Sequence, residues 1–120
     1  MKKYLVGISY HEPESYDSWK KGIIEDYESS TGIFIVANSK NEAISWAEEI
    51  GEKLFQKENP NELSSWKSFE YDCWIEHDWE KSGWSHCLDF FQTINYGELP
   101  DLNKMGTKAY IEWIENKKFK

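Results

Sequence analysis

Apolar residues alternate with polar ones in two parts of the chain, and this period of two is typical of a β-strand with one buried face. Residues 4–10 place four apolar or aromatic side chains on one face: Tyr4, Val6, Ile8 and Tyr10. Residues 69–77 place Phe69, Tyr71, Cys73, Ile75 and His77 on one face and Glu70, Asp72, Trp74 and Glu76 on the other. We therefore predict strands over 4–10 and 69–77.

The region between these two strands contains a continuous apolar run over residues 33–37, preceded by a cluster of turn-forming residues over 28–32. A short unbroken apolar run is typical of a strand that is buried on both faces. Residues 20–28 add Ile23, Ile24 and Tyr27 on the other side of the turn cluster. This layout predicts a hairpin with strands over 20–28 and 32–38.

Three segments show helical spacing. The first begins with a capping box, because Ser39 can accept the backbone N–H of Glu42 while the Glu42 carboxylate reaches back. Its apolar stripe consists of Ala43, Ala47, Ile50 and Leu54, with Ile44 and Phe55 beside it. The second begins at Ser85, and the third begins at Thr107 and turns Tyr110, Ile111 and Ile114 inward. The predicted helices are 39–58, 85–96 and 107–118.

Together these elements predict an α+β fold, in which a mostly antiparallel sheet of about four strands (4–10, 20–28, 32–38 and 69–77) is packed by the three helices. The chain has 120 residues, the length of one domain, so we expect a single globular domain over residues 1–120. Hydrophobic residues make up 39% of the chain, which is sufficient for a packed core.

The charge of the chain limits its partners. It carries 22 acidic residues and 14 basic ones, all of them lysine, for a net charge of −8. Arginine supplies the bidentate contacts used to recognise phosphate and guanine, and a negative surface repels the nucleic-acid backbone. Direct binding to nucleic acid is therefore disfavoured, whereas attraction to a larger protein with a basic surface is favoured.

The N-terminal sequence favours a cytoplasmic location without a membrane anchor. The apolar run after Met1-Lys2-Lys3 is too short for a signal peptide, and no segment approaches the roughly 20 apolar residues that a membrane span needs. Only two cysteines occur, Cys73 and Cys87, and reduced thiols are expected in that compartment.

Residues 73–87 contain a complete set of zinc-ligand types: Cys73, His77, His86 and Cys87. Their spacing lacks the paired C-x2-4-C and H-x3-5-H motifs of structural zinc sites. On a strand, Cys73 and His77 would also stand about 13 Å apart, too far for two ligands of one ion. We therefore expect no metal and no cofactor.

The sequence offers two kinds of candidate catalytic residues, a Cys/His pair and acid–base carboxylates, and supports neither strongly. A Cys/His pair would need His77 or His11 to approach Cys87, because the side chains of the adjacent His86 and Cys87 diverge on a helix. Both cysteines lie on predicted apolar faces, where burial would make them inert. Asp72, Glu76 and Asp78 are candidate acid–base carboxylates, but no pair among them is singled out. We expect the protein not to be an enzyme and assign no catalytic residue.

The segment around residue 75 instead indicates recognition of another molecule. Residues 70–101 contain eight acidic residues and one lysine, with three tryptophans among them. Tryptophan is enriched at interface hot spots, and surrounding acids steer a basic partner. Burial of each tryptophan in the core is the alternative, because tryptophan is highly buried on average. The predicted partner-binding residues are Asp72, Trp74, Glu76, Asp78, Trp79, Glu80 and Trp84.

We therefore predict a small acidic protein that binds and inhibits or masks a larger macromolecular partner, in the manner of an inhibitor, an immunity protein or a phage anti-defence protein. This class rests on analogy of size, acidity and aromatic content. Two alternatives remain open: a small Cys/His- or carboxylate-dependent enzyme, and a homodimeric structural or housekeeping module that pairs through a strand edge.

Overall fold

The computed structural model describes residues 1–11, 13, 28–69 and 71–118. These residues form four strands, β1 (Lys2–His11), β2 (Glu28–Ala37), β3 (Asp72–Glu76) and β4 (Thr93–Asn95), and two α-helices, α1 (Lys40–Glu58) and α2 (Thr107–Lys118). Four short 3-10 helices lie at Trp66–Phe69, Trp79–Lys81, Ser85–Phe90 and Leu102–Lys104. No helix in these ranges is long and apolar enough to cross a membrane.

The strands form one mixed sheet in the order β3-β1-β2-β4. β1 pairs antiparallel with both β2 and β3, whereas β4 runs parallel to β2. The predicted α+β fold with a mostly antiparallel four-stranded sheet is therefore confirmed. Among the described strands, β3 forms one edge of the sheet and the three-residue β4 forms the other.

The main core lies between one face of the sheet and α1. The alternating side chains of β1 and β2 that face the helix include Val6, Ile8, Ile33 and Ile35, each at most 1% exposed. α1 packs against them with the apolar stripe that its sequence spacing predicts: Ala43, Ala47, Ile50, Leu54 and Phe55. Trp66 fills the end of this core and is fully buried.

α1 begins as its capping box predicts. Ser39 has extended backbone dihedrals, and its hydroxyl accepts a hydrogen bond from the backbone N–H of Glu42 at 3.2 Å. The Glu42 carboxylate accepts the backbone N–H of Asn38 at 3.3 Å. The first contact satisfies a donor that the first helical turn leaves free, and the second ties the residue before the N-cap to the helix. Together they fix the start of the helix.

The prediction for residues 28–32 was wrong. These residues are not a turn but the first half of β2, where Glu28 to Gly32 pair with His11 to Gly7 of β1. Pairing with a long neighbouring strand outweighs the turn preference of serine and glycine. Of the predicted strand 20–28, only its last residue, Glu28, belongs to β2, and the rest lies outside the described residues.

The predicted helix 85–96 was also wrong. Residues 85–90 form a 3-10 helix with a non-helical Cys87 (φ −130°, ψ 20°), and residues 93–95 form β4. The backbone N–H of Phe34 donates to the Gln92 carbonyl at 2.9 Å, so the open edge of β2 draws this segment into the sheet. The predicted strand 69–77 shortens to 72–76, because Phe69 ends a 3-10 helix and His77 begins a turn.

Helix α2 spans the predicted residues 107–118, but a different set of side chains faces inward. Tyr110 and Ile114 are half-buried as predicted, whereas Ile111 is 51% exposed. Trp113 is half-buried beside Phe90, with ring centroids 5.6 Å apart. The helix therefore packs on aromatic residues of the 85–90 segment, and Ile111 lies on its outer side.

Candidate functional site

Aromatic rings cover the face of the sheet that is turned away from α1. We call Phe34, Trp74, Trp79, Trp84 and Phe91 the ring layer. Neighbouring rings contact edge to face or tilted: Trp74 and Trp84 have centroids 5.8 Å apart, Trp84 and Phe91 5.1 Å, and Phe34 and Trp79 5.3 Å. Such geometry stabilises aromatic pairs beyond the area they bury. Phe34 and Phe91, with centroids 6.4 Å apart, join the two groups, so the ring layer is one connected surface.

Two glycines in the middle of the sheet allow the rings to approach it. Gly7 and Gly32 are cross-strand partners in β1 and β2, and Gly7 also pairs with Trp74 of β3. A β-carbon at Gly7 would lie well under 3.0 Å from the indole of Trp74, and one at Gly32 would lie 3.0 Å from rings of Trp84 and Phe91. The indoles therefore lie directly on the backbone.

The structure brings the seven predicted partner-binding residues together in β3 and the loop after it. Asp72, Trp74 and Glu76 share the face of β3 opposite α1, as the period of two predicts. Asp72, Asp78 and Glu80 are exposed, whereas the three tryptophans and Glu76 are half-buried. Each tryptophan therefore packs partly against the protein and is partly accessible to solvent, and the exposed acids are its near neighbours in the chain.

Two polar contacts fix the ring layer further. The indole N–H of Trp74 donates to the Glu76 carboxylate at 2.8 Å, which holds both side chains in place. The Lys3 ammonium lies 4.7 Å from the Phe34 centroid and 5.9 Å from that of Trp79. An ammonium in this position is attracted to the negative ring faces, so this surface already holds one cation of the protein itself.

β3 forms an edge of the sheet, with β1 on its inner side. Asp72 on the strand and Asp78 and Glu80 after it are exposed carboxylates, and nearby Lys81 is an exposed cation 4.0 Å from Asp78. Exposed charges on a short edge strand hinder pairing with other acidic strands. The same charges favour approach by a basic surface.

The four residues considered as zinc ligands lie in different environments. Cys73 packs against the α1 core, Cys87 is 3% exposed, and His77 and His86 are exposed. Both thiols are free. In the part of the chain that is described, no three His, Cys, Asp or Glu side chains are grouped to hold a metal ion.

Both cysteines are poor nucleophiles in this environment. Burial, together with the nearby charges of Glu48 and Asp72, raises the pKa of Cys73 to about 12. Burial also raises the pKa of Cys87, whose thiol donates to the Trp84 carbonyl at 3.3 Å. A nucleophilic cysteine acts as its thiolate, and a raised pKa disfavours the thiolate of both residues at neutral pH.

Sequence reasoning missed a cavity of about 470 Å³ beside the ring layer. Trp84, Phe90, Phe91 and Tyr110 supply its aromatic walls, and Cys87 and His86 also line it. The cavity lies where the irregular 85–90 segment meets α2. Because we predicted a regular helix over 85–96, the cavity could not be predicted. The adjacent Phe90 and Phe91 were the signal that could have indicated it. On an irregular segment two neighbouring rings can point in different directions, and here Phe91 contacts Trp84 while Phe90 contacts Tyr110 of α2.

The candidate site therefore combines an acidic sheet edge, a ring layer whose tryptophans are half-buried, and a neighbouring aromatic cavity. Its residues come almost entirely from the stretch 72–91 and are held against β1 and β2. No family model, curated protein or solved structure matches this chain.

Proposed function

We propose that this protein is a non-enzymatic binding protein that occupies a basic surface of a larger protein and thereby inhibits or masks it. An inhibitor, an immunity protein and a phage anti-defence protein all act in this way. The proposed contact surface consists of Asp72, Trp74, Glu76, Asp78, Trp79, Glu80 and Trp84, which we call the acidic edge.

The observation that carries this proposal is the placement of exposed carboxylates at the edge strand β3, next to half-exposed tryptophans. Acidic groups of one sign raise the association rate with a basic partner and set its orientation. Half-exposed indoles supply apolar area that a partner can bury. The ring contacts and the Trp74–Glu76 hydrogen bond hold these groups in place, so binding would cost little ordering entropy.

Charge at the same edge favours a different protein over a second copy of this chain. If two β3 strands paired antiparallel about Trp74, Asp72 of each copy would stand opposite Glu76 of the other. Like charges directly opposite each other on neighbouring strands are destabilising. A basic partner would replace this repulsion with attraction, so we place the homodimer second.

The two free thiols support a reducing, cytoplasmic location for this interaction. The raised thiol pKa values support a role without cysteine chemistry. The net charge of −8 supports a protein partner with a basic surface over direct contact with nucleic acid.

The test uses charge reversal of exposed residues, because truncating Trp74 would also remove packing over Gly7. Tagged wild-type protein and the triple variant D72K/D78K/E80K would each capture partners from cells of the native host, and bound proteins would be identified by mass spectrometry. We expect the wild type to retain a stoichiometric partner that dissociates as salt is raised. The triple variant should lose it.

The matched control is E49K/E112K/E115K, which changes the net charge equally at exposed positions of α1 and α2. It should retain the partner. If the control loses the partner as completely as the edge variant, net charge rather than the acidic edge governs binding. If neither variant affects a recovered complex, or no stoichiometric partner is recovered, the proposal fails.

A further inference from the structure

The cavity beside the ring layer is large enough to hold a small organic molecule. Its volume of about 470 Å³ lies in the range of ligand sites and is well above the roughly 150 Å³ of an engineered cavity that binds benzene. Phe90 contacts both Phe91 and Tyr110, with centroids 6.0 and 5.6 Å away, and Trp84 stands 5.1 Å from Phe91. The aromatic side chains that form the walls therefore contact each other, which limits their movement.

One side of the cavity is the open edge of β2. β4 pairs only with Phe34 to Val36, so the preceding residues have no strand beside them on this side within the described ranges. Phe34 N–H and the Val36 carbonyl point toward β4. Because backbone groups alternate along a strand, those of Ser30 and Gly32 point the same way. Ser30 lines the cavity, which places beside it a peptide group that pairs with no strand of the described ranges on this side.

A second polar group lies at the α2 side. His86 Nε2 and the Tyr110 hydroxyl are 2.9 Å apart and share a hydrogen bond, and both residues line the cavity. A histidine–tyrosine pair can both donate and accept hydrogen bonds. Apolar walls with a few polar groups are the usual composition of a site that binds and orients a small ligand.

The charge around the cavity restricts the kind of ligand. Among the described residues, those that line it include no lysine and no carboxylate, so these side chains offer neither a carboxylate for a desolvated cation nor an ammonium for an anion. The net charge of −8 further opposes anions. Flat aromatic walls favour a ring that stacks against them or meets them edge on.

We propose that this cavity binds a neutral, planar aromatic ligand with a hydrogen-bonding edge. The ring would contact Phe90, Phe91 and Trp84, and its polar edge would face the β2 backbone and the His86–Tyr110 pair. This site shares Trp84 with the acidic edge, but the exposed carboxylates of that edge, Asp72, Asp78 and Glu80, do not line it.

The test is a titration of the full chain with indole, a neutral bicyclic ring with one N–H donor, followed by backbone amide NMR shifts. Indole should give saturable shifts concentrated at residues 30–32, 83–91 and 110. Indole-3-acetate and tryptamine carry the same ring with a negative or a positive charge, and each should bind at least tenfold more weakly at physiological salt. Absence of saturable shifts up to the solubility limit of indole would overturn the proposal, as would tighter binding of either charged analogue.

Two variants locate the site. F90A removes part of the wall and should weaken indole binding at least fivefold. Y110F keeps the ring and the fold but removes the hydroxyl, and should weaken indole binding about threefold, in line with one neutral hydrogen bond of roughly 0.5–1.5 kcal/mol. Y96F makes the same change at an exposed tyrosine outside the cavity and should have no effect. Equal affinity of Y110F and Y96F would contradict the assigned polar edge.

Discussion

Single residues decide how closely the rings approach the sheet, and Gly7 is the clearest case. It pairs with Gly32 on one side and with Trp74 on the other. Glycine weakens a strand by roughly 0.5–1 kcal/mol relative to alanine. Its presence at the centre of β1 is explained by the indole of Trp74, which occupies the space that a β-carbon would need.

We predict that G7A destabilises the protein by about 1–3 kcal/mol, the usual cost of forcing extra volume into a packed site. The indole of Trp74 would have to shift, and its hydrogen bond to Glu76 opposes that movement. Urea unfolding followed by tryptophan fluorescence measures the change. The control is G83A, where the added β-carbon meets nothing within 4 Å and stability should change by no more than about 0.5 kcal/mol. Equal midpoints for the two variants would contradict this account.

Cys73 gives a second prediction at this scale, concerning alkaline pH. Its folded-state pKa of about 12 lies above the ordinary value of 9.0. Between these values the unfolded chain loses the thiol proton while the folded chain keeps it, so stability should fall as pH rises above 9. The decrease due to this residue cannot exceed about 1.4 kcal/mol per pH unit.

Comparison of wild type with C73A isolates this contribution, because all other ionisable groups are present in both proteins. We expect the stability difference between wild type and C73A to remain constant from pH 6 to 8 and to shift against the wild type above pH 9. Urea midpoints measured at each pH would show it. Parallel stability curves for the two proteins up to pH 11 would contradict the raised pKa.

Among the elements, those with a regular pattern and a local boundary signal were predictable from sequence. The Ser39 capping box and the spacing of Ala43, Ala47 and Ile50 define α1 to within a residue. The alternation from Asp72 to Glu76 gives both β3 and the face on which Trp74 lies. In both cases the local preference of the chain agrees with its final environment.

The elements that sequence reasoning missed are those fixed by distant parts of the chain. Cys87, Leu88 and Phe91 have helical spacing, yet Gln92 and Tyr96 form hydrogen bonds to β2 and draw the segment into the sheet. The sequence of residues 85–96 contains no local signal that this segment pairs with the edge of β2. Sequence reasoning could group the seven residues of the acidic edge because they all lie within residues 72–84. The cavity joins β2, the 85–90 segment and α2, which are distant in sequence, so only the tertiary structure reveals it.

At the scale of the whole molecule, the two faces of the sheet are covered differently. Within the described residues, α1 covers one face with a regular apolar stripe, whereas the other face is covered by rings from β2, β3 and the short segments after β3. Rings bury a large area for each residue, so a short segment can cover a sheet without a second long helix. The segments after β3 also carry the exposed Asp78 and Glu80, so exposed acids lie close to the ring layer in the chain.

This arrangement leads to a prediction about self-association. In an antiparallel pair of β3 strands centred on Trp74, Asp72 of each copy faces Glu76 of the other, and the repulsion occurs twice. The variant D72K would convert both contacts into opposite-charge pairs, each contributing roughly 0.2–1 kcal/mol. We therefore expect D72K to dimerise more strongly than the wild type in sedimentation experiments at low ionic strength, and added salt should reverse the effect because exposed charges are screened.

The control E49K changes the net charge by the same amount at an exposed position of α1, away from the β3 edge. It should sediment like the wild type, because a general loss of negative charge does not create the paired contacts at β3. Dimerisation of E49K to the same extent as D72K would show that overall repulsion, not the β3 edge, keeps the copies apart. A wild-type protein that already forms a dimer as tight as that of D72K would instead favour the homodimeric module, since its edge would then associate despite the opposed carboxylates.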